Sequence, residues 1–190
     1  MQRLIVLFAL LLAACATVRQ PPLVLPSLQL APGAFGQSVS LVQRLRLEQA
    51  GINRLTSRPT APRTLDAILE IDPDRVQLAG IAFEQRVLTI LWDGHKLREN
   101  RHPFLPAEID AARVLRDVQL VYWPLESVAA ALPAGWSVAE QGESRSLSYG
   151  GEARVTVTYR GRPRWVGQAE IDNKVEGYKL TIDSTVQAGS

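Results

Sequence analysis

One thiol and two imidazoles bound the chemistry open to this chain: Cys15, His95 and His102 are its only cysteine and histidines in 190 residues. Cys15 closes the stretch Leu12-Ala13-Ala14-Cys15, behind an apolar run from Leu4 and one early positive charge, Arg3. A basic start, an apolar run too short to span a bilayer and small residues before one position are the layout of a secretory signal. Cys15 is then either part of the processing chemistry or incidental to an ordinary signal peptide or short anchor. With no second thiol, no disulfide can form within the chain, and stability must come from a core. His95 sits just past a turn signal and no free cysteine joins it, so a metal centre is not expected. His102 lies near Glu108 and Asp110, a grouping that suggests hydrolysis, but acids opening a helix are explained by the helix dipole. The chain has no Gly-x-Ser-x-Gly elbow, phosphate loop or glycine-rich dinucleotide fingerprint. Neither an enzyme nor a cofactor is therefore expected.

Leu12-Ala13-Ala14-Cys15 resembles the lipobox of bacterial lipoproteins. The resemblance implies that residues 1–14 are a signal peptide and that Cys15 becomes the first mature residue, carrying diacylglyceryl and amide-linked acyl chains. At roughly 0.8 kcal/mol per buried methylene, several such chains hold a protein to a bilayer almost permanently. Enterobacterial lipoproteins retained in the inner membrane have aspartate at the next position. Here it is Ala16, which favours the outer membrane.

The remaining elements must position whatever this anchor carries. Length allows one domain with a sizeable core. Net charge is only +2, and no basic block or basic–aromatic cluster points to nucleic acid. No second apolar run is long enough to cross a membrane. Residues 15–35 read as the acylated cysteine and a tether, because Pro21, Pro22, Pro26, Pro32 and Gly33 oppose regular structure. Yet Leu23, Val24, Leu25, Leu28 and Leu30 are too apolar for a wholly solvated spacer, so part of it should pack on the domain, residues 36–190.

Within that domain the period is two, then 3.6, then two again. Strands are expected over residues 38–48, 63–72, 74–79 and 86–92, with Asp93-Gly94 as a type I′ hairpin turn returning over 95–101. Residues 108–122 put Ala111, Val114, Leu115, Val118, Val121 and Tyr122 on one stripe, an amphipathic helix broken by Trp123-Pro124. A second short helix is expected over 125–132. Strands resume at Trp136, turn at Gly150-Gly151, run cleanly over 154–160 and end with Tyr178, Leu180, Ile182 and Ser184. Roughly nine to eleven strands with one apolar face must curl or be covered. The expected fold is α+β, mainly antiparallel β: a strongly curved, incompletely closed barrel with a two-helix lid inserted in the middle.

Val76-Gln77-Leu78-Ala79-Gly80-Ile81-Ala82-Phe83, Leu91-Trp92-Asp93-Gly94, Asp117-Val118-Gln119-Leu120-Val121-Tyr122-Trp123-Pro124 and Gly177-Tyr178-Lys179-Leu180 carry a second resemblance. With the lipobox and tether, they resemble the LolA/LolB lipoprotein-carrier superfamily. More closely, they resemble uncharacterised LolB-like lipoproteins of bacterial aryl-polyene biosynthesis clusters. The resemblance implies a hydrophobic cavity for an acyl chain or aryl-polyene lipid, delivered to or taken from the outer membrane. It also implies a soluble periplasmic LolA-like carrier as partner, with the protein itself monomeric. Candidate lining residues are Leu41, Leu45, Leu47, Leu65, Leu69, Val76, Leu78, Leu88, Ile90, Val155, Val157 and Ile182, with Val114, Leu115 and Val118 from the lid. The alternative for the same residues is a filled core. In LolB a loop between neighbouring strands exposes an aliphatic residue to the membrane. Ile81 and Phe83 are the corresponding candidates here, or else ordinary strand residues facing the core. Trp92, Trp123, Trp136 and Trp165 fit either a cavity rim or core packing. Two other functions stay open: an assembly subunit that docks a partner protein, and an ester hydrolase dependent on His102.

Overall fold

Alternation of apolar and polar side chains sets most of the secondary structure. In the computed structural model, which describes residues 22–49, 52–53, 58–59, 61–105 and 109–187, the strands are β1 (Val39–Gln49), β2 (Ile52–Asn53), β3 (Arg58–Pro59), β4 (Arg63–Ile71), β5 (Val76–Ala82), β6 (Gln85–Trp92), β7 (Leu97–Arg101), β8 (Trp136–Gln141), β9 (Ser144–Tyr149), β10 (Glu152–Arg160), β11 (Gly167–Asn173) and β12 (Tyr178–Val186). Helices α1 (Ala111–Tyr122) and α2 (Leu125–Ala130) lie between β7 and β8. Cys15 and the signal stretch lie outside the described residues, as does Glu108.

Ten strands form one antiparallel sheet in the order β7-β6-β5-β4-β1-β12-β11-β10-β9-β8, while β2 and β3 pair separately. The sheet is thus two meanders joined where β1 meets β12, with Leu45 opposite Ile182 and Leu47 opposite Leu180. It is strongly curved and does not close, so the fold is an α+β partial barrel. The chain from edge strand β7 to edge strand β8 is the helical insertion. Helix α1 packs on β6 and β7, and α2 packs on β8. Two helices thereby span the interval that hydrogen bonding leaves open between β7 and β8.

Local details differ from the sequence reading in three places. Helix α1 begins at Ala111, with Asp110 as its cap: the Asp110 carboxylate accepts from the Arg113 N–H at 2.9 Å. Its acid therefore satisfies a free backbone donor from outside the helix. Asp93-Gly94 is not a two-residue turn. Asp93 accepts from the N–H groups of His95 and Lys96, making a four-residue connection in which Gly94 has positive φ and Asp93 does not. The tight two-residue turn falls instead at Phe83-Glu84, where both residues have positive φ, +50° and +59°. Neither is a residue that type I′ geometry favours.

Residues 25–35 contribute to the core, while Val24 is 75 % exposed. Leu25, Leu28, Leu30, Pro32 and Phe35 are buried, and the segment runs as a strap between sheet and helix. The Leu30 carbonyl accepts from Trp92 Nε1 at 2.7 Å and from Gln119 Nε2 at 3.0 Å, while the Leu30 N–H donates to Gln119 Oε1 at 3.1 Å. Trp123 Nε1 donates to the Ala31 carbonyl at 3.1 Å. A strand-less segment buried this way must satisfy its backbone through side chains, and three residues spaced along the chain do so.

Candidate functional site

The inward file of β1 reads Leu41, Gln43, Leu45, Leu47 and Gln49, and the half-barrel interior changes along it. At the Leu41 level the space is full. Leu41, Leu69, Ile71, Val76, Ile90 and Trp92 are buried against the strap and against Leu115, Val118 and Trp123. Gln43 forms the next layer, donating to Tyr122 Oη at 2.8 Å and Ser184 Oγ at 2.9 Å. Burial pushes the Tyr122 phenol up to about 12, so it stays neutral. Past this layer, at Leu45 and Leu47, the interior opens into an apolar cleft of about 180 Å³ between the sheet and the N-terminal half of α1.

Of the lining residues read from the sequence, Leu45, Leu47, Leu65, Leu78, Leu88 and Val114 face this cleft. Leu41, Leu69, Val76, Ile90, Leu115 and Val118 lie in the filled half, and Val155, Val157 and Ile182 in the core beneath the C-terminal meander. The cleft also has a polar side. Gln49, Arg63, Arg113, Asp117, Glu176 and Tyr178 line it, together with Ile109 and Leu180. Gln49 and Arg63 continue the inward files of β1 and β4 by one step, and Tyr178 and Leu180 share the file of Ile182. Their period was visible; their polarity disguised it. Glu176 comes from the β11–β12 loop and carried no sequence signal.

Asp117, Glu176 and Tyr178 form one mostly buried network with Arg116 and Asn173, and Arg113 joins it at the edge. Arg116 reaches both oxygens of Glu176, at 2.9 and 2.7 Å, and Asp117 Oδ1 at 3.1 Å. Tyr178 donates its hydroxyl to Asp117 Oδ2. Asn173 Nδ2 donates to Glu176 at 3.2 Å, and its Oδ1 accepts from the loop N–H groups of Val175 and Glu176. Arg113 lies 3.1 Å from Asp110 and 3.8 Å from Glu176. Burial raises the Asp117 carboxyl above its ordinary value even beside Arg116. For Glu176 burial acts the same way but is outweighed by Arg116, so its carboxyl sits below the usual range. Burial and the Asp117 charge together push the Tyr178 phenol up.

The two ends of α1 are held differently. At its C-terminal end Arg145 Nη1 donates to the Leu120 carbonyl at 2.6 Å and Tyr159 Oη to the Val121 carbonyl at 2.8 Å. These satisfy carbonyls that a helix end leaves free, with a cation where the dipole favours one. Arg145 is itself held by Glu140, at 2.6 and 2.8 Å. The N-terminal half of α1 is held by the Asp110 cap, the ionic network and the apolar contacts of Ala111, Val114 and Leu115.

At the same end as the cleft mouth lies the Phe83-Glu84 turn. Phe83 is 88 % exposed and meets Phe104, 51 % exposed, edge to face at 6.4 Å. Ile81 is half-buried within β5, two residues short of the tip. His95 and His102 flank opposite ends of β7 and do not converge. Among the described residues no group of three or more His, Cys, Asp or Glu side chains is placed to hold a metal ion. No described helix is long and apolar enough to cross a membrane.

An open antiparallel half-barrel, sealed at one end and cleft beneath a helical flap at the other, defines a class of protein with an interior accessible from one side. The chain belongs to the family described as protein of unknown function DUF3261, whose pattern it matches over residues 40–186. The match begins inside β1 and so leaves out the strap that fills the sealed end. Comparison with curated proteins gives no match.

Proposed function

We propose that this protein is a non-enzymatic, LolB-like lipoprotein, anchored through acylated Cys15 to the periplasmic face of the outer membrane. In this reading it holds a hydrophobic ligand, an acyl chain or an aryl-polyene lipid, in transit to or from that membrane. The observation that carries the reading is the apolar cleft under α1 at the open end of the half-barrel. Its volume is close to the 150 Å³ of a cavity that admits benzene and below the 300 Å³ or so of ordinary ligand pockets. A long chain therefore enters only if the flap moves. The division of α1 supports that motion: its C-terminal end is pinned by buried hydrogen bonds from Arg145 and Tyr159, whereas its N-terminal half borders the cleft and is tied to the β11–β12 loop by an ionic network that can part. Tethering raises the effective concentration at the bilayer without adding a contact. A soluble LolA-like carrier would supply or receive the cargo at the mouth.

Phe83 fits the role of a membrane tip better than Ile81. A bulky aromatic residue held at positive φ and almost fully exposed is costly, on the order of 1–3 kcal/mol, and such strain tends to mark functional positions. The competing reading is an assembly subunit, favoured by the filled interior around Trp92 and Trp123 and by the exposed Phe83–Phe104 pair, which a partner protein would cover. Mass spectrometry of organic extracts from the purified protein separates the two. Recovery of a stoichiometric lipidic molecule is the expected result. A lipid-free extract with a co-purifying protein would favour the assembly role instead. Independently, Cys15→Ala should move the protein from the membrane to the soluble periplasmic fraction; unchanged membrane retention would rule out the acyl anchor.

A further inference from the structure

We infer that the occupant of this cleft is an amphiphile with an anionic head, a carboxylate or phosphate, bound tail-inward with its head at Arg63. The inference rests on the cleft being a ligand site and adds the chemistry of the ligand. The inward file of β4 is apolar from Ile71 through Leu69, Ala67 and Leu65, and ends in a guanidinium, Arg63, on the cleft wall. Arg63 lies opposite Leu47, one step outside the last apolar pair of the mouth, Leu45 with Leu65. It makes no ion pair or hydrogen bond among the described residues.

The other charges on the cleft wall are committed. Both oxygens of Asp117 accept from Arg116 and Tyr178, and both oxygens of Glu176 accept from Arg116. The carboxylates are therefore neutralised within the protein and do not repel an anion as bare charges would. A guanidinium with no partner among the described residues, set over an apolar trough, presents its planar donor fork to an incoming carboxylate or phosphate. The floor residue Leu78 pairs with Leu69, six residues inward from Arg63 along β4. The lining between is apolar, from Leu45, Leu47, Leu65, Leu88 and Val114, which suits an alkyl tail once the flap lifts. Few polar groups at the rim of an apolar pocket fix ligand orientation in this way.

The test uses the full chain carrying Cys15→Ala, titrated by calorimetry with dodecanoate, dodecyl phosphate, dodecanol and inorganic phosphate, each kept below its aggregation threshold. Dodecanoate and dodecyl phosphate should bind about tenfold more tightly than dodecanol, the worth of one partly exposed charged hydrogen bond. Inorganic phosphate alone should give no binding. Arg63→Gln should bring the dodecanoate-to-dodecanol ratio close to one. Equal affinity for dodecanol in the unmodified cleft, or a ratio that Arg63→Gln leaves intact, would overturn the anionic head while leaving the cleft a lipid site. Tight binding of inorganic phosphate alone would overturn the amphiphile. Failure of all the alkyl probes would remove the ligand site, and this inference with it.

Discussion

Around Trp123 the half-barrel interior resembles the core of any stable domain, while around Leu47 it resembles a pocket, although the same strands run through both. At the first level the strap supplies Leu25, Leu28, Leu30 and Phe35, and every polar group that goes inside is satisfied: Trp92, Gln119 and Trp123 by strap atoms, Arg145 and Tyr159 by helix carbonyls. At the second level no strap residue arrives, and the polar groups bond among themselves to one side of a gap. A curved sheet of this width generates an interior volume. A segment outside the sheet decides how much of that volume is filled.

The largest effect that would break this contrast is at the sealed end. Trp123→Ala removes a fully buried indole and its bond to Ala31, and should cost about 3–5 kcal/mol in urea denaturation. A loss under about 1 kcal/mol would mean that the strap and helix are not the stable half.

Next comes the ionic network. Glu176→Gln takes from Arg116 its bidentate partner but leaves Asp117. A fully buried broken pair costs about 3–5 kcal/mol, and partial exposure of Glu176 reduces that to about 1–2 kcal/mol. The same variant has a pH signature. The Glu176 pKa in the folded state lies below its ordinary 4.5. Its contribution is therefore complete above pH 4.5 and is lost as the pH falls through the folded value. Asp117 has the opposite sign: its raised pKa favours the folded state through the bound proton, and that gain fades as pH rises above the ordinary 3.8. Glu176→Gln should flatten the acid limb of the stability curve, measured by denaturation between pH 5 and pH 3 in steps. An unchanged limb would show that the network does not hold α1.

The smallest change in stability belongs to the turn. Phe83→Ser alters an exposed side chain and should shift stability by no more than about 0.5 kcal/mol. In the Cys15→Ala background, where no acyl chain masks weaker contacts, it should reduce co-sedimentation with phospholipid vesicles. Equal sedimentation of the two proteins would leave Phe83 without a membrane role.

Much of this architecture was legible because a strand's side-chain period is local. Val155, Val157 and Tyr159 alternate with polar residues, and all three are buried. The apolar stripe from Ala111 to Tyr122 likewise fixed which face of α1 would turn inward. Turns were read less well. Asp93-Gly94 has the residues of a tight hairpin, yet the Asp93 side chain captured two backbone donors and lengthened the loop. Phe83-Glu84 has none of them and is forced into the tight turn by the pairing of β5 with β6 on either side.

By itself, the order of residues determined which apolar side chains face inward, that the sheet is antiparallel and that two helices interrupt it. It could not say which inward-facing leucines meet other side chains and which meet space. Leu41 and Leu45 are four residues apart on one file, chemically identical, one in a full core and the other on a cleft. Their difference depends on where residues 25–35 and the tip of α1 come to rest. Facing inward is a property of one strand, whereas a gap is what several distant segments jointly fail to fill, and only the tertiary structure brings them to one place.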